Sequence, residues 1–174
     1  ENCFVYHFLN AHSDGDRVLI EAVRYPRVAL FNTARAGEEE PFPAPGVMTR
    51  WTLELAGRVF KEEPLDDVQC EFPRLDERRA GLSYRHGWAP GTLPRGDATL
   101  PFNSILHYDL ASGARRVHAL ADGSTSGEAV FVPRGPTAAE GDGFLILPVY
   151  RWAEDRSDIL ILDAQNVERA ALAT

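Results

Sequence analysis

Short apolar stretches alternate with turn residues along the whole chain, and none shows the 3.6-residue apolar period of a long helix. Apolar positions alternate with polar ones or run continuously, as in half-buried and fully buried strands. Turn-forming residues at 13–16, 122–123 and 141–143 separate several of the stretches. The pattern predicts an all-β fold. The predicted strands cover residues 3–9, 17–25, 48–55, 58–62, 71–74, 81–88, 104–110, 115–120, 128–133, 143–150, 158–162 and 167–172.

A weak internal repeat suggests how the strands are grouped. Residues 51–59 (WTLELAGRV) resemble residues 107–115 (HYDLASGAR), and residues 159–164 (ILILDA) begin a third copy. A period of roughly 50–55 residues is typical of a propeller blade, which is a four-stranded sheet. The sequence therefore predicts a partial β-propeller of about three blades. The alternative is a small sandwich or barrel in which two hairpins are similar by accident.

We expect residues 1–174 to be a single fragment of a longer protein, because an apolar aromatic run already starts at residue 4. Propellers close with roughly four to eight blades, so about three would leave two open sheet edges. In the isolated chain these edges predict dimerisation or aggregation. Residues 34–46, rich in Gly, Glu and Pro, are predicted to form an exposed loop.

Composition narrows the range of partners. The chain has 18 basic and 26 acidic residues and a net charge of −8, which argues against nucleic acid as a partner. No apolar run approaches the roughly 18 residues of a membrane span. Two cysteines, Cys3 and Cys70, cannot form a disulfide framework, so a reducing compartment, the cytoplasm, is predicted.

Three residues are candidates for chemistry, although no zinc spacing, P-loop, dinucleotide fingerprint or Gly-x-Ser-x-Gly motif is present. His7 lies in an apolar strand and is either a metal ligand or a hydrogen-bonded core histidine. Glu71 and Glu128 each precede a short apolar strand. Each is either a carboxylate that orients a metal-bound histidine or a solvated residue at the end of a strand.

Four segments, read in order, resemble the later part of the carotenoid cleavage oxygenases, a family that includes retinoid isomerohydrolases and lignostilbene dioxygenases. Residues 6–11 (YHFLNA) are similar to its His-x-x-Asn-Ala stretch, and residues 70–76 (CEFPRLD) to its Glu-Phe-Pro-Arg segment. Residues 127–133 (GEAVFVP) are similar to its Gly-Glu-Pro-x-Phe-Val-Pro segment, and residues 142–164 to its final blades. Together the segments span nearly the whole chain.

The resemblance implies a seven-bladed propeller and a non-heme Fe(II) oxygenase that cleaves a conjugated C=C bond with O2. The substrate would be an apolar carotenoid, apocarotenoid or stilbene. His7 would be one of four histidines that bind the iron, while Glu71 and Glu128 would orient other ligands. The remaining histidines would lie in the rest of the propeller, two before this sequence and one after it, so the chain alone is expected to be inactive.

Two residues depart from the family pattern: Ser13 stands where an acidic residue is usual, and Ala129 replaces a proline. Two alternative functions stay open. One is a non-catalytic propeller or sandwich that acts as a binding module, and the other is a family member that isomerises or hydrolyses its substrate. Family members collect apolar substrates, so peripheral membrane contact of the whole protein is also expected.

Overall fold

The computed structural model describes residues 2–28, 45–95 and 101–174, and within these ranges the chain forms twelve strands and no α-helix. The strands are β1 (Phe4–Asp14), β2 (Arg17–Tyr25), β3 (Val47–Glu54), β4 (Val59–Cys70), β5 (Arg74–Leu75), β6 (His86–Thr92), β7 (Ser104–Asp109), β8 (Ala114–Ala119), β9 (Ser124–Ser126), β10 (Val130–Pro133), β11 (Gly143–Arg151) and β12 (Arg156–Asp163). Short 3-10 turns follow β5 and β11, at Glu77–Arg79 and Trp152–Glu154. No helix in the described ranges is long and apolar enough to cross a bilayer.

The strands of the described ranges form two antiparallel sheets, one of eight strands and one of four, and the larger sheet divides into two groups of four. Strands β1 to β4 follow one another as a meander, and the second group contains β5 to β8. Strand pairing joins these two groups where Gln69 and Cys70 of β4 pair with Thr92 and Gly91 of β6. Strands β9 to β12 form a separate sheet in which β11 lies between β12 and the shorter strands β9 and β10. The all-β prediction is confirmed, and the grouping into about three blades stays a prediction.

The core consists of two apolar layers, one on each side of the middle group. Trp88 of β6 and Ile105 of β7 pack with side chains of β10, β11 and β12. Their chain neighbours Ala89 and Leu106 pack instead with side chains of β1, β2, β3 and β4. Successive side chains of a strand point to opposite faces, so this one pair of strands contributes to both layers. The groups are therefore stacked face to face.

Turn chemistry explains both hairpins of the sequence repeat. The β7–β8 hairpin turns at Gly113, whose φ of +72° suits glycine, and the β3–β4 hairpin turns through Arg58 with φ of +51°. The third copy ends differently. The side chain of Asp163 accepts hydrogen bonds from the backbone N–H groups of Gln165 and Asn166, which forms a turn directly after β12.

The strand predicted at 167–172 is wrong, because the chain turns directly after β12. The segment runs through turns, and only Ala173 forms a bridge, to Ile161 of β12. The strand predicted at 71–74 is reduced to β5, because the chain turns at Phe72 with φ of +51°. The strand predicted at 81–88 begins only at residue 86, and the one predicted at 128–133 begins at residue 130.

Two further strands differ from the prediction. The short β9 had no predicted counterpart, and β4 continues to residue 70 although the pattern ended it at 62. Most of the loop predicted at 34–46 lies outside the described residues. Of its last two residues, Pro45 is exposed and Gly46 is buried against the ring of Tyr25.

We expect replacement of Trp88 by alanine to destabilise the fold by about 3–5 kcal/mol, the usual cost of truncating a buried tryptophan. Trp88 is fully buried, stacks on Phe131 at 4.9 Å between ring centroids, and donates from Nε1 to the carbonyl of Ala164 at 2.8 Å. Urea unfolding followed by circular dichroism measures the change.

Trp152→Ala is the matched control, because Trp152 is 58% exposed and should change stability by no more than about 0.5 kcal/mol. Equal losses in the two variants would contradict a core organised around Trp88.

Candidate functional site

An irregular stretch of β1 presents His7. The pairing of β1 with β2 shifts register between Val5 and Phe8, and again between Phe8 and Asn10, as at a β-bulge. Bulges re-aim side chains and are common beside functional sites. The His7 side chain is 48% exposed, while Leu9 and Asn10 are buried. The structure thus places His7 in the interior of a strand and half-exposed, not deep in the core.

A sharp turn after β4 positions Glu71. Its backbone N–H donates to the carbonyl of Pro90 in β6 at 3.1 Å, and the next residue, Phe72, adopts the left-handed conformation with φ of +51°. That conformation costs a non-glycine residue free energy and is concentrated at functional sites. The Phe72 N–H donates to Oε2 of Glu71 at 2.5 Å. The turn therefore holds the carboxylate in one orientation.

His7 and Glu71 form a direct pair. Nδ1 of His7 lies 2.6 Å from Oε2 of Glu71, and the Glu71 side chain is only 7% exposed. With the proton on Nδ1 donated to the carboxylate, the lone pair of His7 is on Nε2. Nε2 has no hydrogen-bond partner among the described residues. An imidazole held this way by a carboxylate is the usual form of a metal-binding histidine.

The second oxygen of Glu71 lies away from the contacts that hold the first. Oε1 is buried and has no hydrogen-bond partner in the described parts of the chain. Burial, followed by the negative charge of Glu71 and a hydrogen bond to its carboxylate, raises the pKa of the neighbouring Tyr25 phenol. A buried carboxylate without a cation is costly. A cation bound at His7 would offset that cost, so the pair suits a metal ion on electrostatic grounds.

Asn10 holds the strand of His7 in place. Its amide nitrogen donates to the carbonyls of Arg79 and Leu82, and its amide oxygen accepts from the N–H of Gly81 at 2.9 Å. All three contacts satisfy backbone groups of the loop between β5 and β6. The Asn-Ala part of the segment at 6–11 therefore anchors β1 to the second group of strands.

Glu128 is not part of this pair. Its side chain is 47% exposed, and Oε1 accepts from Nη1 of Arg74 at 2.7 Å. No histidine within the described ranges contacts it. Across those ranges no cluster of three or more His, Cys, Asp or Glu side chains could hold a metal. The described residues therefore bring His7 and Glu71 together and leave Glu128 apart from both.

Sequence comparison decides the family. The profile described as retinal pigment epithelial membrane protein matches residues 1–174. The chain belongs to this family. The resemblance found in the segments at 6–11, 70–76, 127–133 and 142–164 is confirmed.

Relatives within the family carry the names of oxygenases. The chain is 30% identical over 173 residues to an apocarotenoid-15,15'-oxygenase of Synechocystis. That alignment covers 98% of this chain and 35% of the oxygenase. It is 35% identical to a carotenoid cleavage oxygenase of Mycobacterium tuberculosis, with coverage of 98% and 35%. It is 32% identical to a lignostilbene-alpha,beta-dioxygenase isozyme of Sphingomonas paucimobilis, with coverage of 95% and 36%. The chain thus spans about a third of the length of these relatives.

A solved structure supports the fold. Cobalt-substituted Synechocystis ACO superposes with a TM-score of 0.85 at 28% identity, covering 98% of this chain and 36% of that one. The likeness confirms the propeller-type fold predicted from the repeat. The number of blades stays a prediction.

A second histidine pair lies outside the family segments and was not singled out from the sequence. Nδ1 of His86 in β6 lies 3.0 Å from Nε2 of His107 in β7, and both residues are buried. The two are 21 residues apart, and neither has a motif around it. No sequence signal identified the pair, and it is the structure that shows β7 to be buried at residues 104–108.

Burial keeps this pair neutral. Desolvation, reinforced by the neighbouring His86 and Arg116, lowers the pKa of His107 to about 4, and desolvation also lowers the pKa of His86. The unfolded chain binds protons at its histidines from about pH 6.5 downward. The stability that the neutral pair contributes is therefore fully present above about pH 6.5 and decreases as the pH falls towards 4.

We expect His107→Gln to flatten this pH dependence, because glutamine has no proton to gain on unfolding. The measurement is the free energy of unfolding in urea at several pH values between 7 and 4, for both proteins. Carboxylates titrate in both, so the difference between the two curves reports on the pair. Parallel curves would contradict a neutral buried His107.

Proposed function

We propose that this chain is part of a non-heme Fe(II) oxygenase that cleaves a conjugated C=C bond of a carotenoid, apocarotenoid or stilbene with O2. The contact that carries the proposal is the 2.6 Å pair of His7 and Glu71, which leaves Nε2 of His7 open. The names of the relatives support the class of reaction. The cobalt substitution of the Synechocystis relative supports a metal centre.

His7 would bind the iron through Nε2, together with histidines supplied by the rest of the protein. The described residues fit this role, because the buried Oε1 of Glu71 has no partner and its charge would complement a cation. The bound iron would supply the activation of O2. Glu71 holds the proton at Nδ1 and fixes the orientation of the ring, which raises the basicity of Nε2.

The sequence-based assignment of Glu71 is refined by this geometry. Glu71 was expected to orient a ligand other than His7, but the carboxylate contacts His7 itself. For Glu128 the original hypothesis remains: it would orient a histidine that lies outside this sequence. In the described residues Arg74, which comes from the same segment as Glu71, holds Glu128 in place.

Aromatic side chains around His7 suit an apolar substrate. The ring of Phe72 lies 5.2 Å from the His7 ring, and Phe102 packs on Phe72 at 5.6 Å. Tyr6 and Phe8, on either side of His7, are 39% and 57% exposed. In the complete protein such rings would exclude water from Nε2 and contact a polyene or stilbene by its apolar faces.

The chain alone is proposed to be inactive, because one imidazole is a weak iron site. The rest of the propeller is its proposed partner, and a cytoplasmic protein with peripheral membrane contact is the proposed setting. Two alternatives remain, and the following experiment separates them. One is an isomerase or hydrolase of the same family, and the other is a binding module without metal chemistry.

We expect the complete natural protein that contains this chain to take up iron stoichiometrically after anaerobic Fe(II) loading, and His7→Ala to lose it. Iron content and O2-dependent cleavage of a stilbene and an apocarotenoid are measured together. His118→Gln is the control, because His118 contacts only the backbone carbonyl of Val167 through Nδ1 in the described part of the chain.

Each outcome has a consequence. Absence of iron in the complete protein would favour the binding module, and iron without O2 consumption would favour the isomerase or hydrolase. Full iron in His7→Ala would contradict the role of His7. Tight iron binding by residues 1–174 alone would show that this chain supplies more ligands than His7.

We expect Glu71→Gln to weaken iron binding by about 10–100-fold, the usual effect of removing a carboxylate behind a metal-binding histidine. The amide can still accept a hydrogen bond from Nδ1 but carries no charge. Competition with a chelator measures the affinity.

Glu63→Gln is the matched control, since Glu63 pairs with Lys61 on the surface. A Glu71→Gln protein that binds iron as tightly as the control would show that charge compensation is not the function of this carboxylate.

A further inference from the structure

A polar cavity of about 180 Å³ opens beside the His86–His107 pair. It lies between the β6–β8 group and the segment that follows β12, and its wall includes Arg85, His86, His107, Asp109, Arg116 and Gln165. A water molecule occupies about 30 Å³ of the liquid, so the cavity has room for a small oxyanion and several waters. None of these residues takes part in the His7–Glu71 pair.

The two imidazoles form a hydrogen bond with each other and do not form a metal site. Their facing nitrogens are 3.0 Å apart and the ring centroids 5.1 Å apart, so both nitrogens lie close to the line that joins the rings. The lone pairs therefore point at each other and not at a common third point. No third metal-binding side chain completes a cluster here within the described ranges.

The buried environment selects the tautomer. Nδ1 of His107 is buried and has no partner in the described residues. A buried N–H without an acceptor is rarer and less favourable than a buried acceptor without a donor. His107 therefore carries its proton on Nε2 and donates it to Nδ1 of His86. His86 then has its own proton on Nε2, the one ring nitrogen left to face the cavity.

The only carboxylate that the described residues contribute to the cavity wall is already held by Arg85. Asp109 accepts from Nε and Nη2 of Arg85 at 2.8 and 2.6 Å, and from the backbone N–H groups of Ala111 and Ser112. These hydrogen bonds, with that of Arg85 foremost, lower the pKa of Asp109 well below its usual range. Asp109 thus has little remaining capacity to accept a hydrogen bond from a ligand.

Beside the wall, Oε1 of Glu140 accepts from the backbone N–H groups of Arg85 and His86. The groups of the wall that are still free to bind a ligand are donors. Arg116 donates from Nη1 to the carbonyl of Gln165 at 2.5 Å and is 49% exposed, so the rest of its guanidinium is available. Arg85 is also half-exposed and uses only two of its N–H groups on Asp109. Glu168 lies 3.8 Å from Arg116 and reduces its charge only in part.

We propose that this cavity binds a small oxyanion, a carboxylate or a phosphate, through the Nε2–H of His86 and the guanidinium groups of Arg116 and Arg85. Guanidinium groups match the planar or forked geometry of such oxygens. The site is independent of the proposed iron chemistry. The shared proton of the histidine pair keeps His86 in the tautomer that donates.

The test follows the side-chain nitrogens of selectively ¹⁵N-labelled histidines by NMR in the complete natural protein at pH 7. His86→Gln and His107→Gln variants assign the signals. Inorganic phosphate and acetate are titrated separately at constant ionic strength, balanced with chloride. We expect a saturable shift of the His86 signals with at least one of the two anions, and the anion that saturates identifies the source as phosphate or carboxylate.

Arg116→Gln should weaken this binding by about tenfold, the value of one charge-assisted hydrogen bond. Arg115→Gln is the matched control, because the neighbouring Arg115 pairs with Asp66 and does not line the cavity. Shifts that never saturate with either anion, or equal weakening in the two arginine variants, would overturn the proposal and indicate general salt screening.

Discussion

Strands β6 and β7 are buried on both faces, and the position of every other group depends on them. Their alternating side chains enter one apolar layer with β1 to β4 and another with β10, β11 and β12. Water is excluded from both layers, so the burial of apolar surface fixes the strands against each other without α-helices in the described residues. A half-polar strand would not stack in this way.

The same strand β6 supports both polar sites. At its far end, the carbonyl of Pro90 accepts from Glu71 and the pairing of Gly91 with Cys70 ends β4. The turn that aims the carboxylate at His7 therefore rests on the buried strand. At its near end, His86 contacts His107 across the strand pair. Rigid strands hold side chains more accurately than loops do, which suits sites that need fixed geometry.

Charge distinguishes the two sites. Glu71 presents a buried negative charge with an open oxygen, which is complementary to a cation. The cavity beside His86 presents donors, because Arg85 already binds both oxygens of the Asp109 carboxylate. The proposed metal site thus lies at one end of the strand and the proposed anion site at the other, although the net charge of the chain is −8. Local hydrogen bonding, not overall composition, decides what each site can bind.

The sequence by itself determined the strand content, the two hairpins of the repeat and the family segments that contain His7 and Glu71, because turns and period-two patterns are local properties. The wrongly predicted strand at 167–172 shows the limit of such local patterns. Its residues are apolar enough for a strand, but the side chain of Asp163 forms a turn just before them. Only the tertiary structure decided that Glu71 contacts His7, 64 residues away, and that His86 meets His107. Such contacts depend on register and on the stacking of the groups. Many sequence positions set these jointly, and no local pattern encodes them.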